Sequence, residues 1–357
     1  MARGWSPPDA PASWRLTAAL FEAVAGNNTL LGAIATLPSD RLPALLASAA
    51  IRLLARRDTE GRLHSYFPER GASQPSFDEG FFAAFETFCS RHLDEIMAVC
   101  RVHRYQMNEV ARCTQLACGL AAISAGQEPI ALVDLGTGAG LALQLDRYRY
   151  ELGSRVFGPA DAPVALMCAV RGRRDPADVD LPPIAERIGI DLDPVDLEDE
   201  GARNWLEACT PPEETALSRL FAAVEVARSH PPDILRGDLV EVLPEVLANL
   251  PSGRPVAVVD AYTAVFLPED GRLSLAEAMA KAGRHRPVTW LSLDPLVPLG
   301  PSGRHSVQGL SLSNQLVTDY QQHGVFAVLG ARRFDGDSSA GRLLARSHPS
   351  GTWMEWL

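Results

Sequence analysis

The chain is nearly devoid of lysine: of its 33 basic residues only Lys281 is one, the rest being arginine. It has no excess of basic charge either. The formal net charge is −11 and the acids are spread along the sequence, which excludes the basic face expected of a duplex-DNA or bulk-RNA binder. Short basic clusters such as Arg171-Gly172-Arg173-Arg174 read as solvated loops. No uncharged apolar run approaches about 18 residues, so no membrane span is predicted, and the N-terminus has no apolar core of a signal peptide. None of the six cysteines forms a C-x-x-C pair. They read as small buried hydrophobes in a reducing compartment, giving a cytoplasmic expectation. The eight histidines are scattered. With no H-E-x-x-H and no His/Cys cluster, a metal site is not expected. The G-x-S-x-G elbow and the G-x-x-x-x-G-K-[ST] loop are missing too.

What remains, 46% hydrophobic and 22% charged over 357 residues, describes a globular protein of two or three domains. Residues 1–128 read as helical and 129–357 as alternating strands and helices, so the predicted class is α/β: a mostly parallel sheet with an N-terminal helical domain. Phe81, Phe85, Phe88, His92, Ile96 and Val99 recur at helical spacing; the aromatics read as core, and His92 as a satisfied, half-buried histidine rather than a ligand. Ser39 suits an N-cap, with Pro43 in the first turn after it. Gln106, Asn108, Glu109 and Arg112 crowd the predicted start of a helix that leads into the first strand. Asn108 as cap and a Glu109–Arg112 pair explain them structurally. A polar wall over a substrate pocket explains them functionally.

The most informative stretch is Ile130-Ala-Leu-Val-Asp134-Leu-Gly136-Thr137-Gly138-Ala-Gly140-Leu141. An apolar run carrying one acid, then three alternating glycines, reads as a buried parallel strand, a tight turn and a helix running on from Leu141 to Tyr150. The dinucleotide fingerprint G-x-G-x-x-G fails, because the sixth position is Leu141, which counts against an oxidoreductase. G-x-G-x-G preceded by an acid instead resembles motif I of the class I S-adenosylmethionine-dependent methyltransferases. That resemblance implies cofactor contacts from Asp134, Gly136, Thr137, Gly138 and Gly140, the acid holding the cofactor's ammonium. An ordinary strand–turn–helix with no ligand is the alternative.

Residues 151–186 read as an insertion containing an extra strand near 163–170. Gly189-Ile190-Asp191-Leu192-Asp193-Pro194 ends the second strand. A carboxylate there offers two acceptor oxygens to a ribose diol. Asp191 is the first choice and Asp193 the second, unless Asp193-Pro194 merely begins a turn. Gly237-Asp238 follows a third strand at a position that looks like the adenine contact of methyltransferases. The fourth strand ends at Asp260-Ala261-Tyr262, where substrate-facing groups of open α/β sheets sit. Asp260 is a base or a substrate-orienting acid, or alternatively a loop cap. Val288 to Asp294 forms a fifth strand, a Gly/Pro/Ser-rich loop covers 295–308, and antiparallel edge strands close the chain.

Together with Gln106-Met107-Asn108-Glu109-Val110-Ala111-Arg112-Cys113, Leu145-Asp146-Arg147-Tyr148, Arg236-Gly237-Asp238 and the Leu343-to-Leu357 end, these segments resemble a bacterial domain-of-unknown-function family with a methyltransferase-like fold. Family members often carry Asn where Ala142 stands and His-Ser where Asp260-Ala261 stands, implying altered chemistry here. The expectation is an S-adenosylmethionine-dependent methyltransferase-like enzyme of biosynthetic metabolism acting on a small molecule. Asp260, Glu109 or Tyr262 is its base, and Gln106, Asn108, Arg112, Arg147 and Tyr148 face its substrate. Two alternatives use the same fold. One is non-methylating substitution or elimination, such as ring closure. The other is a non-catalytic scaffold, as a homodimer or with a small partner subunit.

Overall fold

Runs of apolar residues that alternate with amphipathic segments assemble here into a large sheet, a small two-stranded ribbon and sets of helices. The structure is a computed structural model that describes residues 14–58, 61–68, 78–124, 128–174, 180–295, 306–323 and 326–357. The parts of the sequence-predicted loops at 69–76 and 296–305 lie outside the described residues. In chain order the helices are α1 (Arg15–Gly26), α2 (Asn28–Ile34), α3 (Pro43–Ala55), α4 (Gly80–Val102), α5 (Cys113–Ile123), α6 (Glu200–Cys209), α7 (Glu214–Ser229), α8 (Leu239–Asn249), α9 (Glu269–Gly283) and α10 (Asn314–His323). The strands are β1 (Ile130–Leu135), β2 (Arg149–Leu152), β3 (Arg155–Phe157), β4 (Ala165–Arg171), β5 (Ile184–Asp191), β6 (Asp233–Arg236), β7 (Val256–Ala261), β8 (Val288–Pro295), β9 (Ser306–Val307), β10 (Leu310–Ser311), β11 (Ala327–Asp335), β12 (Ser338–Ser347) and β13 (Trp353–Trp356).

The chain divides into two units: residues up to Glu109 with Val195–Phe221, and Val110–Pro194 with Ala222–Leu357. This partition differs from a single cut at 128/129, since α5 goes with the sheet and α6 with the helices. In the helical unit, Leu16, Leu20, Leu46, Ile51, Phe81, Phe85, Phe88 and Trp205 share one core. The indole of Trp205 stacks on His103 and its N–H donates to the Arg104 carbonyl. Ser39 does not cap α3. It opens a 3₁₀ turn, and Leu42 in the left-handed region leads to Pro43 at the first helical position.

In the second unit an 11-stranded sheet runs β3-β2-β4-β13-β12-β11-β8-β7-β1-β5-β6. Five strands, β6-β5-β1-β7-β8, are parallel throughout. Antiparallel β11 follows β8, and β12 follows β11. All six residues of β1 are buried, the burial expected of a strand covered on both faces. The predicted extra strand near 163–170 is β4, which extends the sheet beside β2. The fold is therefore mixed α/β with a large, mostly parallel sheet. β1 is flanked by β5, which follows it after β2 to β4 at the far edge of the sheet, and by the later strand β7 on its other side. The carboxyl end of β1 is thus a topological switch point, where open α/β sheets take ligands.

One expectation fails beside that point. The glycine turn leads into no α-helix: Ala142–Arg147 is a 3₁₀ segment, followed at once by β2. Carbonyls that a helix needs as acceptors are occupied by tyrosine hydroxyls. Tyr148 Oη donates to Leu141 O at 2.8 Å, and Tyr150 Oη donates to Leu145 O. Among the described residues no helix is long and apolar enough to cross a membrane.

Candidate functional site

Gly136, Gly138 and Gly140 have φ of 70°, 55° and 70°, left-handed values that side chains resist. Packing adds a second reason. A Cβ on Gly136 would lie 2.3 Å from Thr263 Oγ1, and one on Gly140 would lie 2.8 Å from Pro232. Gly136→Ala should therefore destabilise the sheet unit by more than the roughly 1–2 kcal/mol of the left-handed conformation alone. Adding Thr263→Ala should recover part of that loss in denaturant melts. No recovery would show that Thr263 is not what crowds the turn.

The turn joins two distant acids. Thr137 Oγ1 donates to Asp134 Oδ2 at 2.6 Å. Gly138 N donates to Asp191 Oδ2 at 2.8 Å, and Asp193 N donates to Asp191 Oδ1 at 2.7 Å. Gly189 lets Thr137 sit this close, since a Cβ there would come within 2.5 Å of the threonine methyl. Asp134 is buried, and burial is the main reason its carboxyl is pushed up to about 7. The Thr137 bond opposes that rise, and the charges of Asp260 and Asp191 add to it. Gly237 N donates to the Asp191 backbone carbonyl, and Asp238 caps α8 by accepting from Val240 N. Asp193 pairs with Arg236 at 2.9 Å.

Register divides the acids between the sheet's two faces. Leu135 pairs with Ile190 and with Asp260, and Asp260 pairs with Ser292, so Asp260 lies on the face of Val258, Trp290 and α9. Asp134 and Asp191, one residue out of phase, lie on the other. Asp260 is fully buried. Its Oδ2 accepts from Trp290 Nε1 at 2.7 Å, and its Oδ1 accepts from Ala264 N at 3.2 Å and lies 3.2 Å from Ser292 Oγ. Burial pushes its carboxyl up to about 6 against these donors. Ser292 Oγ also lies 2.8 Å from Oδ2 of Asp294, which is buried too.

Tyr262, immediately after β7, has φ of 65°, an outlier for a bulky residue and the kind of strain that gathers at functional positions. The Arg112 guanidinium lies 3.9 Å from its ring centroid and is anchored by donation to Pro349 O. The Tyr262 hydroxyl is buried without a hydrogen-bond partner, and burial raises its pKa.

The other predicted residues have partners within their own units. Glu109 pairs with Arg219 at 3.2 Å in the helical unit rather than with Arg112. Asn108 does not cap α5, which begins at Cys113 after a 3₁₀ turn; its amide lies 3.5 Å from Gln106 Oε1. Arg147 donates to Gln144 Oε1 and borders an open cavity of about 460 Å³ with Asp146, Asp161 and His230, which no other predicted site residue lines. Tyr148 is fully buried, which gives it a packing role rather than a substrate-facing one. Sequence reasoning missed Trp290, Ser292 and Asp294. The signal was there: in β8 they alternate along a largely apolar stretch and end in an acid, much as β7 carries Asp260 near its end.

No curated protein matches the chain. Residues 9–356, nearly its whole length, match the family described as "Uncharacterized protein conserved in bacteria (DUF2332)", and the protein belongs to that family.

Proposed function

We propose that the protein is an S-adenosylmethionine-dependent methyltransferase-like enzyme acting on a small molecule, its cofactor held at the carboxyl edge of β1, β5 and β6. The observation that carries this reading is the Asp191 carboxylate at the switch point. It is half-buried and fixed by the N–H groups of Gly138 and Asp193, with lone pairs left for a ribose diol. The strand order β6-β5-β1-β7-β8 and the exposed Leu192 and Leu235 beside that acid agree with a nucleoside lying across the edge. Gly136, Gly138 and Asp191 would hold the cofactor, which supplies a methyl already activated on a sulfonium. The protein's part is to orient an amine or hydroxyl, exclude water and take its proton.

Asp134 supports a second reading. Its carboxyl is buried and its Oδ2 already accepts from Thr137, so a cofactor ammonium would meet a carboxylate with one oxygen engaged, a departure from what the resemblance implies. A fold that keeps the nucleoside cradle but performs substitution or elimination without methyl transfer accommodates this difference. Calorimetry tests the shared premise. The protein should bind S-adenosylmethionine, and Asp191→Ala should weaken binding at least tenfold, about 1.4 kcal/mol. No binding by the parent protein removes both readings. With a turned-over substrate, gain of one methylene favours transfer, and loss of a leaving group favours the alternative.

A further inference from the structure

Asp260, Ser292 and Asp294 form a chain in which one hydroxyl lies between two buried carboxyls, at 3.2 Å from Asp260 Oδ1 and 2.8 Å from Asp294 Oδ2. A serine has one hydrogen to donate. If both carboxyls were ionised, one contact would set oxygen lone pairs against each other and two like charges would share a dry site. One carboxyl must therefore donate to Ser292 while Ser292 donates to the other.

The surroundings decide which. Asp260 accepts from Trp290 Nε1 and from Ala264 N, donors that favour its charge. Asp294 has less help: its Oδ1 is buried with no hydrogen-bond partner, and only the Val265 N–H, Ser292 and the more distant Arg272 favour its charge. Burial first and the Asp260 charge second hold the Asp294 carboxyl well above the usual carboxylate range. The other titratable groups acting here are Asp134 on β1, whose interaction with Asp260 is repulsive, and Tyr262. The ring of Tyr262 lies under Arg112, and its electrostatic neighbours are Asp294 and Tyr320 of α10.

We infer that Asp294, Ser292 and Asp260 are a one-proton relay whose unbonded end is Asp294 Oδ1, buried in the ligand-free chain, and that it takes the proton of a substrate amine or hydroxyl brought against that atom. The three side chains and the substrate account for every proton and electron pair of the step. The substrate X–H bond breaks and its proton goes to Asp294 Oδ1. Asp294 Oδ2 gives its proton to Ser292 Oγ, and Ser292 gives its own to Asp260 Oδ1. The electron pair of the broken bond stays on X, and the negative charge of Asp260 has moved there. Asp294 thus touches substrate, while Asp260 acts through Ser292 as a positioning residue and final proton acceptor. The orphaned Tyr262 hydroxyl lies within electrostatic reach of Asp294 and offers a second hydrogen bond to the same substrate group. As a substrate-facing base, this relay rests on the enzymatic reading above.

Infrared spectroscopy of the ligand-free full chain, with carbon-13 in aspartate carboxyls only, tests the resting state. Aspartate labelling hides Glu213, and mildly alkaline pH ionises Asp134. Under those conditions one protonated aspartate band should remain. Asp294→Asn should remove it, Ser292→Ala should shift it, and Asp134→Asn should leave it. Absence of the band in the parent protein overturns the relay, as does a band unchanged in both Asp294→Asn and Asp260→Asn. Because no cofactor is present, failure here and failure of cofactor binding are separate results.

Discussion

Trp290→Ala is expected to lower the stability of the sheet unit by about 4 kcal/mol or more. Removing a buried large aromatic typically costs 3–5 kcal/mol, and Trp290 is almost wholly sealed within the core formed by Val133, Leu135, Val258, Leu275 and Met279. Its loss also strips Asp260 Oδ2 of its donor at 2.7 Å, and an unpaired buried acceptor costs a further ~1–3 kcal/mol. Domains are stable by only about 5–15 kcal/mol, so the variant should show reduced soluble yield and a much earlier denaturation midpoint. Trp290→Phe separates the two terms. It keeps most of the packing and removes only the N–H, so it should lose about 1–3 kcal/mol and regain part of that at pH below 6, where Asp260 is protonated. Equal destabilisation by Ala and Phe would mean that the indole fills no essential volume.

How legible this architecture was depended on which physical signal each element used. β1, β7 and β8 announce themselves as largely apolar runs that end in an acid or a glycine turn, because strands buried on both faces need near-continuous hydrophobicity. The absence of a helix after Gly140 could not be read locally. It is set by Tyr148 and Tyr150, which reach back to carbonyls five to seven residues earlier, and such capture depends on the fold around them. Gly189 illustrates the same limit: it looks like a weak point in a strand, yet its missing Cβ is what admits Thr137.

The candidate site was half legible for a related reason. Motif spacing marks a residue's position at a strand end but not which face of the sheet it occupies relative to residues on other strands. Asp260 and Asp191 both read as acids at strand ends, and register puts them on opposite faces. Asp294, whose partner Ser292 sits opposite Asp260 in β7–β8 pairing, became visible only with that register. Glu109 and Asn108 show the reverse case. Their local capping and pairing pattern was clear, but partners distant in sequence displaced it, with Arg219 taking Glu109.

Asp134→Asn is expected to stabilise the protein at pH 8 and to flatten its pH dependence. The folded carboxyl, pushed up to about 7 from 3.8, binds its proton more tightly than the unfolded one. Between those values the native state holds more protons, so stability falls as pH rises. The contribution is least unfavourable below about pH 4 and fully unfavourable above about pH 7. At 1.36 kcal/mol per unit this amounts to roughly 4 kcal/mol as an upper bound. Asp260, raised to about 6 from 3.8, slopes the same way. Asparagine keeps an oxygen to accept from Thr137 Oγ1 and carries no charge into the buried site. Denaturant melts from pH 5 to pH 8 should therefore show the parent losing stability towards alkaline pH, and the variant losing less. A parent protein that gains stability over that range would contradict the burial of Asp134 as a charge. A buried acid that lowers stability beside the glycine turn suits a residue that serves the site rather than folding.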